Sequence, residues 1–137
     1  MSSSGESYGS APDLAALKGV PVLVVEDAWH VAKAVKSALE QLGMHVIGPT
    51  ARTAEARSLV AQQKPRLALV DINLKNEMAC DLIDELHRDG VHIIVVSGYA
   101  VPPVSIEKAA AFVQKPFSGK ELITTLCGVV DRLARGG

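Results

Sequence analysis

Apolar runs rich in β-branched residues alternate along this chain with segments whose apolar residues recur at the helical period. This alternation is typical of repeated strand–helix units, in which parallel strands are buried on both faces. Strands are predicted near 21–26, 44–48, 66–71, 91–97 and 111–115. Helices are predicted near 28–42, 53–63, 79–89, 103–109 and 118–134. The pattern therefore predicts five strand–helix units in sequence.

Local signals at the ends of several helices support these boundaries. Gly43 follows the apolar residues of the first helix as a C-terminal stop. Thr53 and Ser118 stand where an N-cap hydroxyl would, and Glu121 completes a capping-box pattern with Ser118. Pro102-Pro103 opens the fourth helix and few residues follow before the next strand, so we expect that helix to be short or irregular.

Right-handed connections between successive parallel strands restrict the topology further. They predict an α/β fold, a doubly wound three-layer sandwich of flavodoxin-like type with a five-stranded parallel sheet in the order 2-1-3-4-5. At 137 residues the chain has room for one domain of ordinary size. We expect residues 1–18 to form a flexible Ser/Gly-rich tail, with a short helical lead-in near its end, and residues 19–137 to form the domain.

Composition excludes several classes of function. With 14 basic and 15 acidic residues and a net charge of -1, the chain has no electrostatic footprint for nucleic acid or for an anionic membrane. Cys80 and Cys127 have no metal-ligand spacing, which suits a reducing compartment and no zinc site. The chain contains neither a membrane-length apolar stretch nor a signal-peptide pattern. We therefore expect a cytoplasmic protein that binds neither nucleic acid nor membrane.

Chemically active side chains follow four of the predicted strands. Glu26-Asp27, Asp71, Ser97 and Lys115 each end or follow an apolar run. Because the carboxyl ends of parallel strands meet at one edge of a sheet, these groups should converge there. The carboxylates can hold a hard divalent cation, and the hydroxyl and the ammonium can bind the oxygens of a phosphoryl group carried by one of the acids.

The sequence from Val20 to Leu133, which contains these residues, resembles the receiver domain of two-component response regulators. The strings that carry the resemblance are VVED at 24–27, LVDINL at 69–74, VVSGYA at 95–100 and FVQKPF at 112–117. The fourth strand and the proline-opened helix after it are similar to a subgroup of stand-alone receivers with a Thr/Ser-Gly-Tyr motif. The resemblance implies a phosphoryl-accepting signalling domain.

Asp71 matches the residue that accepts a phosphoryl group from a kinase phosphohistidine. A carboxylate suits this role because its low intrinsic pKa keeps it ionised near neutral pH without a general base. Ser97 and Lys115 match the hydroxyl and the ammonium that contact the phosphoryl oxygens. In isolation, an aspartate at the end of a strand more often caps the next loop, and the other three motifs reverse this preference for Asp71.

Mg²⁺ is the cofactor that the resemblance implies. Glu26, Asp27 and Asp71 match its acidic ligands, and the backbone carbonyl of Asn73 matches the third protein contribution. The cluster itself argues for a metal, because three neighbouring carboxylates repel one another unless a cation neutralises them. Asp27 could also cap the first helix, which is compatible with its role as a ligand.

Other matched positions tune the site. Gly98 leaves open space over it, and Pro116 resembles a Lys-Pro bond that is commonly cis and aims Lys115 inward. Phe112 stands where a switching Tyr or His is more usual, so a static core role is an alternative. Tyr99 could shield an aspartyl phosphate from water.

The loop after the phosphoacceptor departs from the usual pattern of the family. It reads NLKNEMACDL over 73–82 and lacks the usual Met-Pro step and the downstream glycine. We therefore expect this loop to have a different shape.

The function expected from these matches is a phospho-accepting switch that signals by protein–protein interaction, with no output domain of its own. Its partners would be a histidine kinase or phosphotransfer protein and a further downstream protein. It would be a monomer or weak homodimer, and it would be no enzyme beyond its own phosphorylation and dephosphorylation. Relay intermediate, phosphate sink and regulator remain open as roles.

Three alternatives stand beside this expectation. The sequence could be a receiver excised from a larger hybrid kinase or regulator. A phosphatase of the haloacid-dehalogenase kind also uses an aspartate nucleophile with Mg²⁺, but it places an acid two residues later, where this chain has Asn73. A nucleotide-binding domain would need a glycine-rich phosphate loop after the first strand, and none is present.

Overall fold

The structure is a computed structural model that describes residues 14–74, 77–98 and 108–135. The strands in this part of the chain are β1 (Pro21–Val25), β2 (His45–Thr50), β3 (Leu67–Asp71), β4 (Asn73–Leu74), β5 (Glu77–Met78), β6 (His92–Ser97) and β7 (Ala111–Gln114). The helices are α1 (Trp29–Gln41), α2 (Thr53–Gln63), α3 (Cys80–Arg88) and α4 (Gly119–Ala134), and a single 3-10 turn, Leu14–Leu17, precedes β1.

Five strands form one parallel sheet in the order β2-β1-β3-β6-β7. This is the predicted order 2-1-3-4-5, because β4 and β5 pair only with each other, as a short antiparallel hairpin after β3. The doubly wound α/β fold is confirmed. The helix predicted near 103–109 lies largely outside the described residues.

Both faces of the sheet are covered, and consecutive residues of each strand point to opposite faces. Val22 and Val24 belong to a core cluster that includes residues of α1 and α4. Leu23 and Val25 belong to a second cluster that includes residues of α2 and α3. This two-sided burial explains why the strands appear in the sequence as unbroken apolar runs.

Two predicted helix ends are confirmed. Gly43 directly follows Leu42, the C-cap residue of α1, and adopts a φ of +84°, a conformation that glycine adopts without strain. Ser118 caps α4: its Oγ accepts from the Glu121 backbone nitrogen at 3.1 Å, and the Glu121 carboxylate accepts from the Ser118 nitrogen at 2.9 Å. The capping box therefore fixes the start of the last helix.

Two boundary predictions need correction. Thr53 is the first residue of α2, and the cap position belongs to Arg52, which makes no side-chain cap hydrogen bond. The packed domain also begins earlier than residue 19, since Leu17 is fully buried within the first core cluster. The helical lead-in is therefore part of the fold. None of the helices among the described residues is long and apolar enough to cross a membrane.

Candidate functional site

The predicted site residues meet at the carboxyl edge of the sheet. Glu26 and Asp27 follow β1, Asp71 ends β3, and Ser97 ends β6. Lys115 follows β7, and its backbone nitrogen donates to the Ser97 carbonyl at 2.8 Å. Because these strands are parallel neighbours, their ends bring the three acids, the hydroxyl and the ammonium to one place.

Three carboxylates form a compact acidic cluster. One oxygen from each of Glu26, Asp27 and Asp71 can be chosen so that all lie within 4.8 Å of one another. Glu26 and Asp71 are buried, at 7% and 5% exposure, and Asp27 is half-buried. An all-oxygen donor set of this size and charge suits a hard divalent cation such as Mg²⁺ and disfavours softer metals that prefer nitrogen or sulfur.

Lys115 binds two of the three acids directly. Its Nζ lies 2.8 Å from Glu26 Oε1 and 2.8 Å from Asp71 Oδ2. Partial burial lowers the pKa of the Lys115 ammonium, but its hydrogen bonds to Asp71 and Glu26 outweigh that effect, so its pKa lies above the usual value. The ammonium is therefore fully charged and offsets part of the negative charge of the cluster.

Glu26 has a raised pKa. Burial is the main cause, and the nearby Asp71 charge adds to it, while hydrogen bonds from Lys115 and the Ala28 backbone act in the opposite direction. Glu26 is therefore protonated more readily than an exposed glutamate, and a cation bound beside it would favour its charged form.

Backbone N–H groups fix the second carboxylate oxygen of Asp71 and of Glu26. Asn73 donates its N–H to Asp71 Oδ1 at 3.0 Å, and Ala28 donates its N–H to Glu26 Oε2 at 3.1 Å. The N-cap residue of α1 is Ala28, so Asp27 lies one residue before the position that was predicted for it. The metal contact of the Asn73 carbonyl stays a prediction.

The other predicted positions fall around this centre. Ser97 is 2% exposed at the end of β6. The Lys115–Pro116 bond is cis, as expected. A Cβ placed on Gly98 would meet no atom of the residues that the structure describes within 4 Å. Tyr99 lies outside the described residues.

Phe112 is half-buried on β7, where it is paired with Val95 and packs against the core cluster on the α2 and α3 side. This contact agrees with the static core role. Its role as a switch stays a prediction.

Thr50, which none of the sequence motifs includes, holds the backbone of the acidic pair. The Glu26 nitrogen donates to the Thr50 carbonyl at 2.9 Å, and the Thr50 side chain is 3% exposed. The available signal was Gly48-Pro49 just before it, since that pair is unusual inside a strand.

Comparison with known proteins decides the family. The model of the response regulator receiver domain matches residues 22–127 of this chain. The chain belongs to the response regulator receiver family. Receiver domains belong to two-component systems and bind Mg²⁺ through an acidic pocket, and the structure of this chain contains an acidic cluster.

Two curated relatives agree with this assignment. The receiver is 27% identical over 126 residues to the phosphate regulon transcriptional regulatory protein PhoB of Pseudomonas aeruginosa, covering 86% of this chain and 55% of PhoB. It is 29% identical over 114 residues to the chemotaxis protein CheY of Thermotoga maritima, covering 79% of this chain and 95% of CheY. The chain thus spans about half the length of PhoB and nearly all of CheY.

Solved structures share the fold. The response regulator PhyR of Brucella abortus superposes with a TM-score of 0.79 at 21% identity, covering 96% of this receiver and 56% of PhyR. A CheY-like receiver domain protein of Methanospirillum hungatei superposes with a TM-score of 0.75 at 26% identity, covering 88% of this receiver and 100% of that chain. The architecture of this chain is therefore that of other receivers over most of its length.

Proposed function

We propose that this receiver accepts a phosphoryl group on Asp71 from a histidine kinase or phosphotransfer protein, with Mg²⁺, and signals through a protein partner. The observation that carries the proposal is the pairing of Asp71 with Lys115 inside a cluster of three acids at the carboxyl edge of the sheet. An acid needed only for folding would gain nothing from two further carboxylates beside it, because like charges at this spacing destabilise one another.

The transfer step uses the groups at this edge, a phosphorylated donor and the Mg²⁺ that the acids would hold. A carboxylate oxygen of Asp71 attacks the phosphorus and forms an O–P bond. The P–N bond of the donor phosphohistidine breaks, and the imidazole leaves with that electron pair and takes a proton from solvent. Lys115 and Ser97 bind the phosphoryl oxygens, whose negative charge and acceptor capacity match an ammonium and a hydroxyl.

Glu26, Asp27 and Asp71 are the residues that would hold Mg²⁺. When bound, the ion supplies positive charge that offsets the repulsion between the carboxylates and the incoming phosphoryl oxygens. Lys115 supplies one charge of the same sign from the protein itself, already in contact with Asp71. Protein and metal together would make the approach of an anionic donor favourable.

We further propose that the receiver does not turn over external substrates and that it catalyses only its own phosphorylation and dephosphorylation. A phosphatase that uses an aspartate nucleophile supplies a general acid two residues later to protonate the leaving group. Asn73 occupies that position and has no proton of suitable acidity to give. The cytoplasmic location and the monomeric or weakly dimeric state stay predictions of the sequence.

The experiment is incubation with acetyl phosphate and Mg²⁺, followed by intact-protein mass spectrometry. We expect a mass gain of one phosphoryl group that hydroxylamine removes, and no gain in Asp71→Asn. Asp81→Asn is the matched control, because Asp81 is an exposed acid in the first turn of α3, and it should be phosphorylated like the wild type. A phosphoryl adduct that persists in Asp71→Asn, or release of many equivalents of phosphate per protein, would contradict the proposal.

A further inference from the structure

An irregularity in β2 lies directly beside the acidic cluster. Leu23 on β1 is paired with Ile47 on β2, but two residues later Val25 is paired with Thr50, so β2 contains one more residue than β1 between these pairs. The extra residue forms a β-bulge at Gly48-Pro49. Bulges often re-aim the backbone next to functional sites. Here the bulge brings Thr50 level with the end of β1.

The bulge leaves no room for a side chain at its glycine. Gly48 has a φ of +90°, and a Cβ there would lie 3.0 Å from the Thr50 nitrogen and 3.2 Å from the Val24 oxygen. Both the conformation and the close backbone contact require glycine. The path of the chain into Thr50 is therefore set by Gly48.

Thr50 links this bulge to the acidic pair and to α2. Its carbonyl accepts the Glu26 N–H at 2.9 Å. Its Oγ1 accepts from the Arg52 nitrogen at 3.2 Å and donates to the carboxylate of Glu55 in the first turn of α2. With the side chain 3% exposed, water does not compete effectively for these bonds. The hydroxyl thus anchors the segment whose carbonyl holds Glu26.

We propose that Thr50 is a positioning residue for the metal site, acting through the backbone of Glu26. The Glu26 carboxylate is already fixed at both oxygens, by Ala28 and Lys115. Its backbone nitrogen is held by Thr50, so the start of the acidic pair depends on where β2 ends. Without the hydroxyl, the carbonyl of Thr50 loses its anchor, and Glu26 with Asp27 can shift away from Asp71. This inference rests on the proposed function, since it assumes that the cluster binds Mg²⁺.

The test is a titration of the wild type and of Thr50→Val with Mg²⁺ alone. Changes in the amide NMR shifts give the Mg²⁺ affinity of each protein. The valine keeps the shape of threonine and removes its hydroxyl. We expect Mg²⁺ binding to weaken about 10-fold, the lower end of the range for partners that orient metal ligands. The Glu26 amide should also exchange faster with solvent, because its hydrogen bond opens more often. Thr50→Ser, which retains the hydroxyl, should restore most of the affinity.

Thr53→Val is the matched control, because Thr53 is another buried threonine in the same region whose hydroxyl accepts from Arg57 on the same helix. It should bind Mg²⁺ as the wild type does. Glu55→Ala removes the partner of Thr50 from an exposed helix position and should weaken binding in the same direction. If Thr50→Val does not fold, the Mg²⁺ affinity of Glu55→Ala tests the proposal in its place.

The outcomes separate this inference from the proposed function. A wild-type protein that binds no Mg²⁺ and takes no phosphoryl group would overturn the proposed function itself. A wild type that does both, with folded Thr50→Val or Glu55→Ala variants of unchanged Mg²⁺ affinity and unchanged Glu26 exchange, would overturn only the positioning role of Thr50.

Discussion

At the scale of single residues, Lys115 has two roles that can be separated. It is placed to bind phosphoryl oxygens, and it also contacts two carboxylates whose side chains are each 6% exposed. A buried carboxylate that loses its only cation retains its desolvation penalty without compensation. The residue needed for phosphoryl transfer should therefore also stabilise the metal-free fold.

In the absence of Mg²⁺, we expect Lys115→Met to lower the free energy of unfolding by about 2 kcal/mol. This value is typical of a hydrogen bond to a charged group. The loss should shrink in saturating Mg²⁺, because a cation bound to the same acids replaces the missing charge and stabilises the native state by mass action. Urea denaturation with and without Mg²⁺ measures both values.

Lys36→Met provides the comparison for that measurement, since Lys36 forms an exposed ion pair with Glu40 at 2.8 Å. Its effect should stay within about 0.5 kcal/mol. Equal losses for the two lysines, or a loss at Lys115 that Mg²⁺ does not reduce, would show that the pair with the buried acids contributes little.

The site residues were accessible to sequence reasoning for a physical reason. Asp71, Ser97 and Lys115 each follow a run that is buried on both faces, and the parallel topology then forces the ends of these runs together. For Thr50 the sequence offers only Gly48-Pro49 as a sign of irregularity, and its role depends on a bulge that shifts one strand against another. Sequence spacing within one strand contains no information about such a shift.

At the scale of elements, prediction succeeded where the interaction is local. Ser118 and Glu121 bind each other across one helical turn, so their spacing is enough to place the start of α4. Thr53 failed as a cap because the chain enters α2 from the end of β2, one residue earlier than its hydroxyl suggests. The predicted end of β2 at 48 was too early for a related reason: β2 is an edge strand, where a proline is tolerated, and it extends to Thr50.

The capping box gives a direct prediction for α4. Ser118→Ala removes the acceptor for the Glu121 nitrogen and should lower the free energy of unfolding by about 1 kcal/mol, as for other N-cap serines. Ser58→Ala is the control, because Ser58 is exposed within α2 and caps nothing; its effect should stay within about 0.5 kcal/mol. Thermal unfolding of the two variants and the wild type gives the comparison, and similar values for both serines would rule out a stabilising cap.

At the scale of the whole molecule, the N-terminal boundary of the domain differs from the boundary that the composition suggests. The Ser/Gly-rich start of the chain makes residues 1–18 resemble a tail, but the turn Leu14–Leu17 packs against α4. Leu17 lies fully buried with Leu126 and Val129, and Gly19 donates its N–H to the Gly43 carbonyl at 2.7 Å. This turn therefore closes one end of the core between the sheet, α1 and α4. The apolar run Leu14–Leu17 is too short to show a helical period, so the sequence alone does not reveal its burial.

The two leucines of the turn make this domain boundary testable, because they differ mainly in burial. Leu17 is fully buried, whereas Leu14 is 46% exposed. We expect Leu17→Ala to lower the free energy of unfolding by about 2–4 kcal/mol, since it removes buried methyl groups and leaves a cavity beside α4. Leu14→Ala should cost less than about 1 kcal/mol, because its side chain loses little burial.

Urea denaturation measures both free energies of unfolding. The Mg²⁺ affinity should be unchanged in each folded variant, because the turn lies outside the acidic cluster. If Leu17→Ala costs no more than Leu14→Ala, the turn is not part of the cooperative fold, and the domain begins at residue 19 as its composition predicted.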